Sequence, residues 1–168
     1  TTVETTQIRS SSSIGGVNRH ARTYAGITRT LLAGISAKYH VHLSKHSPIV
    51  PWAVRHSSWL HSRFQKLRDL RTPFEFVAGH PYDQPVFCFG SLVFVRRPQA
   101  LEQPKLEQRF VAGVWLGRTY ESDLHIVGAP DGIIVSRTCR QASDVEASDG
   151  SVLSRLFQDM VFTPHRLS

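Results

Sequence analysis

From residue 17 onward, apolar positions recur at helical spacing. Val17, Ala21, Tyr24, Ala25, Thr28, Leu31, Leu32 and Ile35 form the stripe of an amphipathic helix that frays near Gly34. The other side carries Asn18, Arg19, Arg22 and Arg29, and steps of three and four residues align Asn18, Arg22 and Arg29 on one exposed strip. Gly15 and Gly16 lead in with bare backbone amides beside a positive helix N-terminus, which attracts anions. A basic strip next to such a start is a surface for a phosphate backbone. The competing reading is an ordinary surface helix with solvated arginines.

Pro51 opens a second helix, at a position where its missing N–H costs nothing. In PWAVRHSSWLHSRFQKL, residues Trp52, His56, Trp59, Leu60, Arg63, Phe64 and Leu67 share one side, which reads as core rather than as a base-stacking surface. No carboxylate or hydroxyl nucleophile is suitably spaced from His56 or His61, so both read as structural histidines. Thr72-Pro73-Phe74-Glu75 is a capping box with proline at the first helical position, and Gly79 supplies a left-handed stop. These predict a helix over 73–78, with His80-Pro81-Tyr82 leading out.

After Pro85 the period changes to that of strands. Val86 to Arg96 is rich in β-branched and aromatic residues, with Gly90 as a bulge or bend. Arg109 to Arg118 is a second strand region curved at Gly113 and Gly117. Leu124–Ala129 and Ile133–Thr138 flank the turn Pro130-Asp131-Gly132. Four or five short strands with glycines at the corners predict a small SH3-like β-barrel, with 96–108 as its long mobile loop. The expected class is α+β, with two or three helices first and the barrel after. The expected divisions are a flexible lead over 1–13, a helical part over 14–82, the barrel over 83–141 and a tail over 142–168. That tail holds an acidic spacer, a short helix near 152–160 and a basic end at His165-Arg166.

Charge sharpens the picture. The 168 residues are 40% hydrophobic with a net charge of +7, which describes a globular chain with an anionic partner, nucleic acid first. No apolar run approaches the roughly 18 residues of a membrane span and no signal pattern is present, so no membrane partner is expected. Met160 is the only methionine and the chain begins at Thr1, which reads as a fragment or a processed piece. Cys88 and Cys139 lie in apolar strand-like runs, so buried thiols and an intracellular location are expected. His40, His42 and His46 have a spacing that could hold zinc but lack cysteine or carboxylate support, so the expectation is no metal.

The order of these pieces resembles a known family. SSSIGGVNRHARTYAGITRTLLAGI is similar to the last catalytic helix of copia-type LTR-retrotransposon integrases, where a serine and Asn-Gly lead into a small residue, then Glu and a basic residue. PWAVRHSSWLHSRF resembles the family's next helix, and RTPFEFVAGHPY its Thr-Pro-(Tyr/Phe)-Glu and Gly-x-Pro-Tyr stretch. FCFGSLVFV resembles its Phe-Gly strand, and RFVAGVWLGRTYESDLHIVGAPDGIIVSRTCRQ the SH3-like segment after its core. The resemblance covers about residues 10–141.

It implies an origin in a retrotransposon Pol polyprotein, an RNase H-like polynucleotidyl transferase for DNA integration, and action in the nucleus. In the family two aspartates and a glutamate hold two Mg2+ or Mn2+ ions that activate the nucleophile and stabilise the phosphoryl centre. The strands bearing both aspartates would precede Thr1. Asn18 stands at the glutamate's position, and Ile14 where the family has the asparagine of Asn-Gly. A neutral carboxamide binds a divalent ion far more weakly than a carboxylate. The expectation is therefore DNA binding without catalysis, and no cofactor for this chain. Arg19, Arg22 and Arg29 on the helix, Arg96, Arg97 and Arg118 around the barrel, and Arg137 and Arg140 on the last strand are the expected phosphate contacts. The alternative is a domesticated adaptor whose SH3-like barrel binds a protein or a chromatin tail through an exposed aromatic groove formed by residues such as Phe94, Trp115 and Tyr120. Without the missing strands, the apolar faces of 17–35 and 52–67 must pack on each other or on the barrel. An exposed apolar patch and self-association are the expected consequence.

Overall fold

The computed structural model of the chain describes residues 15–96 and 110–147. The lead over 1–13, Arg97, nearly all of the 96–108 loop, the 152–160 helix and the basic end lie outside the described residues. The chain is α+β, with helices first and an antiparallel five-stranded sheet after. The elements are α1 (Gly15–Tyr39), α2 (Ile49–Phe64), α3 (Pro73–Ala78), β1 (Leu92–Arg96), β2 (Phe110–Arg118), β3 (His125–Ala129), β4 (Gly132–Ser136), β5 (Cys139–Gln141) and a single turn, α4 (Asp144–Ala147).

α1 does not fray at Gly34 but runs five residues further, to Tyr39. Tertiary packing explains this: Ile35, one residue on, is 2% exposed and anchors the helix in the core. Only part of the expected apolar stripe is covered. Thr28 and Ile35 are buried, Tyr24, Leu31 and Leu32 are half-buried, and Val17, Ala21 and Ala25 are exposed. α2 starts at Ile49, two residues before Pro51, which falls in its first turn. Trp52 and Trp59 are fully buried, whereas Phe64 and Leu67 at the end of the stripe are exposed. α3 has the predicted boundaries. The Thr72 hydroxyl accepts from the Glu75 N–H at 3.1 Å, the Glu75 carboxylate accepts from the Thr72 N–H at 2.6 Å, and Gly79 is left-handed at φ 80°.

The sheet order is β4-β3-β2-β1-β5, every neighbour antiparallel, and it is not closed. The Val86–Arg96 strand is shorter than expected. Gly90, at φ 80°, turns the chain, and regular pairing begins only at Leu92. The register between β2 and β3 shifts between Trp115 and Gly117, the curvature foreseen at Gly117. β3 and β4 form the expected hairpin, Ala129 facing Gly132 around Pro130-Asp131.

Side-chain alternation gives the sheet two apolar faces. On one face Leu92, Val114, Leu116 and Ile126 join Ile35 of α1 and Ile49, Trp52 and Ala53 of α2 in a single core. On the other, Val93, Val95, Trp115 and Val127 are packed by Val86, Phe87, Ile134 and Cys139. The helices thus pack on each other and on the sheet. Leu70, Phe76 and Val77 remain 70 to 87% exposed. The cysteines depart from expectation. Cys88 is exposed because it precedes the Gly90 turn, while Cys139 is half-buried, and both are free thiols. No helix among the described residues is long and apolar enough to cross a membrane.

Candidate nucleic-acid interface

α1 carries Arg19, Arg22, Arg29 and Lys38 and no aspartate or glutamate in its 25 residues. Asn18, Arg19, Arg22 and Arg29 are all exposed, on the side of the helix away from Thr28 and Ile35. Asn18, Arg19 and Arg22, with Gly15 and Thr23, line a shallow open depression of about 430 Å3 among the described residues. None of the three arginines makes an ion pair with a described carboxylate. α1 stays continuous here because its other side is held by α2. There the Thr28 hydroxyl donates to Ser57 Oγ at 3.2 Å, and Ser57 Oγ donates to the Val54 carbonyl at 2.7 Å. His20 and Tyr24 pack edge-on against the buried His61, at 5.4 and 5.1 Å between ring centres. Burial, then the neighbouring His20, lowers the His61 pKa.

The sheet arginines divide. Arg118 is a correction. It is 6% exposed, and its guanidinium is spent inside the protein. Nη1 donates to the Asp123 carbonyl at 2.7 Å and to its carboxylate at 3.0 Å, and Nη2 donates to the Pro85 carbonyl at 2.8 Å. Its remaining Nε–H is buried as well, so the group is not presented to a phosphate. Arg96 is half-buried at the end of β1. Arg137 is exposed in the turn between β4 and β5, not on a strand. Arg140 is exposed but paired bidentately with Glu146 at 3.0 and 3.1 Å and stacked over Phe94 at 4.6 Å. Of the expected phosphate contacts among the described residues, the three on α1 and Arg137 are therefore exposed without an ion pair to a described carboxylate.

Two further arginines, not singled out as site residues, tie the helices to the sheet. Arg63 is 6% exposed and sits among four rings, Trp59, Phe74, Tyr82 and Tyr120, at 4.6 to 5.6 Å from their centres. Its Nη2 donates to the Tyr120 carbonyl at 3.0 Å. Arg55 Nη1 donates to the Arg118 carbonyl at 2.9 Å. Tyr82 donates its hydroxyl to the Asp123 carboxylate at 2.9 Å, and burial with that bond raises its pKa. The sequence signal for Arg63 was its place on the apolar stripe four residues after Trp59; nothing local marked Asp123 as its neighbour.

His56 is a core residue. It stacks on Trp59 and Phe89 at 5.4 and 5.2 Å, and burial, aided by Arg55, lowers its pKa to about 3. His125 accepts from Trp115 Nε1 at 3.1 Å, and burial lowers its pKa to about 4. Neither is placed for acid–base work on a ligand. Phe94, Trp115 and Tyr120 do not line one exposed groove, because Trp115 is fully buried while Tyr120 is exposed and Phe94 lies under Arg140. His40, His42 and His46 are exposed, and no three His, Cys, Asp or Glu side chains among the described residues come together to hold a metal.

Comparison with protein-family models, with curated proteins and with solved structures found no match to this chain.

Proposed function

We propose that the chain is an integrase-derived nucleic-acid-binding protein of copia-type retrotransposon origin that has kept phosphate binding and lost metal-dependent strand transfer. The observation that carries this reading is α1 itself, a long acid-free helix with Arg19, Arg22 and Arg29 exposed beside Asn18 and in no ion pair with a described carboxylate. Such a strip suits sequence-independent contact with a DNA backbone, and a nuclear site of action follows from the same origin. The helices are read as the remnant of an RNase H-like core. The sheet is read as SH3-like from its five short antiparallel strands and the bulge at Gly117.

The two divalent ions of that family do not fit the residues present. The depression at Asn18 offers a neutral carboxamide and guanidinium groups, and no described carboxylate lines it. Guanidinium groups repel a divalent cation as strongly as they attract phosphate, so the same place favours an anion.

The test is binding of the purified chain to a fluorescent duplex across a salt series, with and without magnesium. The logarithm of affinity should fall linearly with the logarithm of salt, with a slope of about −2 to −4, and ignore magnesium. Absence of binding at low salt would overturn the DNA reading. Magnesium-dependent nicking that disappears in Arg22→Ala would overturn the loss of chemistry.

A further inference from the structure

The two edges of the sheet are built differently. β5 is three residues long, carries Arg140 at its centre and is followed at once by α4, where Glu146 holds the Arg140 guanidinium at 3.0 and 3.1 Å. Short length and charge are common means of keeping a sheet edge from pairing with another chain. β4 has neither. Its five residues, Gly-Ile-Ile-Val-Ser, include no charge and no proline, and among the described strands only β3 pairs with it. All five are half-buried, with Ile133 and Val135 packed toward the helix-side core and Ile134 toward the opposite one. An edge strand turns alternate N–H and C=O groups outward, so β4 offers a hydrogen-bonding edge with partly covered apolar side chains on both faces.

Residues 131–137 are also chemically symmetrical about Ile134. Antiparallel pairing of two copies about that residue sets Ile134 against Ile134, Ile133 against Val135, Gly132 against Ser136 and Asp131 against Arg137. Apolar positions meet apolar ones, and the two exposed charges at the ends meet their opposites, twice by symmetry. Parallel pairing in register would instead set Asp131 on Asp131 and Arg137 on Arg137. Sliding the antiparallel pair by two residues in either direction takes each charge off its opposite.

We propose that the outer edge of β4 is a self-association surface, to which a second copy of this chain adds its own β4 antiparallel. Ile134 lies on the two-fold axis, and Asp131 of each copy lies beside Arg137 of the other, so that one sheet runs through both copies. The contact is short against the roughly 20–30 residues a side of a stable interface, which places the dimer in the transient class, with a Kd on the order of 10 μM. The surface is on the sheet rather than on α1, and its test contains no nucleic acid.

Sedimentation velocity of the full chain from about 1 to 200 μM brackets that Kd and should show a monomer–dimer equilibrium. Asp131→Lys and Arg137→Glu change exposed side chains and should leave the circular dichroism spectrum as it is. Each alone sets like charges against one another, and each should weaken the dimer about three- to tenfold. Mixing the two single variants puts opposite charges back at both ends of the pair, so the mixture should dimerise as the unaltered chain does. The chain carrying both changes should do the same. A contact elsewhere on the molecule would not reproduce this rescue. Hydrogen exchange over 131–137 should slow as concentration rises. Phe76→Ser, which removes an exposed ring from α3, should leave the dimer unchanged. The proposal is overturned if the chain stays monomeric through this range, or if the mixture is no more dimeric than either variant alone. It is equally overturned if exchange over 131–137 is independent of concentration, or if Phe76→Ser abolishes association.

Discussion

The arginines of α1 and those of the seam between α2 and β2 are chemically identical and do opposite things. Arg19, Arg22 and Arg29 stand on a helix with no carboxylate, exposed, and their charge is available to a partner. Arg63 and Arg118 are each 6% exposed and are consumed by aromatic faces, backbone carbonyls and Asp123. Positive charge in this chain is therefore informative only once burial is known. A guanidinium wrapped by rings and carbonyls holds two layers together. One left in water with no described counter-charge stays open to a partner.

Acid should act most strongly, and on the seam and its surroundings rather than on α1. His56 and His125 titrate at about 3 and about 4 in the folded chain instead of 6.5. Between those values the unfolded chain binds protons that the folded chain does not, so stability falls as pH drops from about 6.5 toward 4. Each histidine should cost on the order of 3 kcal/mol by pH 4, read as a falling urea midpoint. A flat profile over that range would show that neither ring is held neutral.

Next in size is Gly117→Ala. Gly117 has φ 121°, and an added Cβ would lie 2.7 Å from His56 Nδ1, a ring pinned between Trp59 and Phe89. Destabilisation of about 2–4 kcal/mol is expected, with the salt slope of DNA binding unchanged. Arg118→Met should cost about 2–3 kcal/mol, because it leaves the Asp123 carboxylate without its counter-charge and the Pro85 carbonyl without its donor, and it too should leave the slope alone. If Arg118→Met instead reduced the slope with stability intact, the division into internal and external arginines would be wrong.

The smallest effect on stability, within about 0.5 kcal/mol, belongs to the combined Arg19→Ala, Arg22→Ala and Arg29→Ala variant. It should have the largest effect on binding, lowering the slope by about 0.9 for each phosphate no longer neutralised, or up to about 2.7. A triple variant with wild-type salt dependence would leave α1 as an ordinary solvated surface.

Local signals were legible wherever the physics is local. The Thr72–Glu75 box with Pro73 and Gly79 marked α3 to the residue, since capping involves only neighbours along the chain. Pro130-Asp131 marked the β3–β4 hairpin, and the α1 strip of Asn18, Arg22 and Arg29 followed from helical spacing alone. Signals failed where a distant residue decides. Gly34 would end a helix by propensity, but Ile35 in the core carries α1 on to Tyr39. Trp115 could be read as a groove residue, but strand alternation put it inside, with its N–H on His125.

Periodicity and charge sign are properties of neighbouring residues, and so the class of the chain, the order of its elements and the acid-free face of α1 could all be read from the amino acids alone. Which arginines are free, and that Cys88 is exposed, could not. Nor could the place of β4 as an outer strand of the sheet. Those outcomes depend on residues that are far apart along the chain and come together when α1, α2 and the sheet close on a shared core.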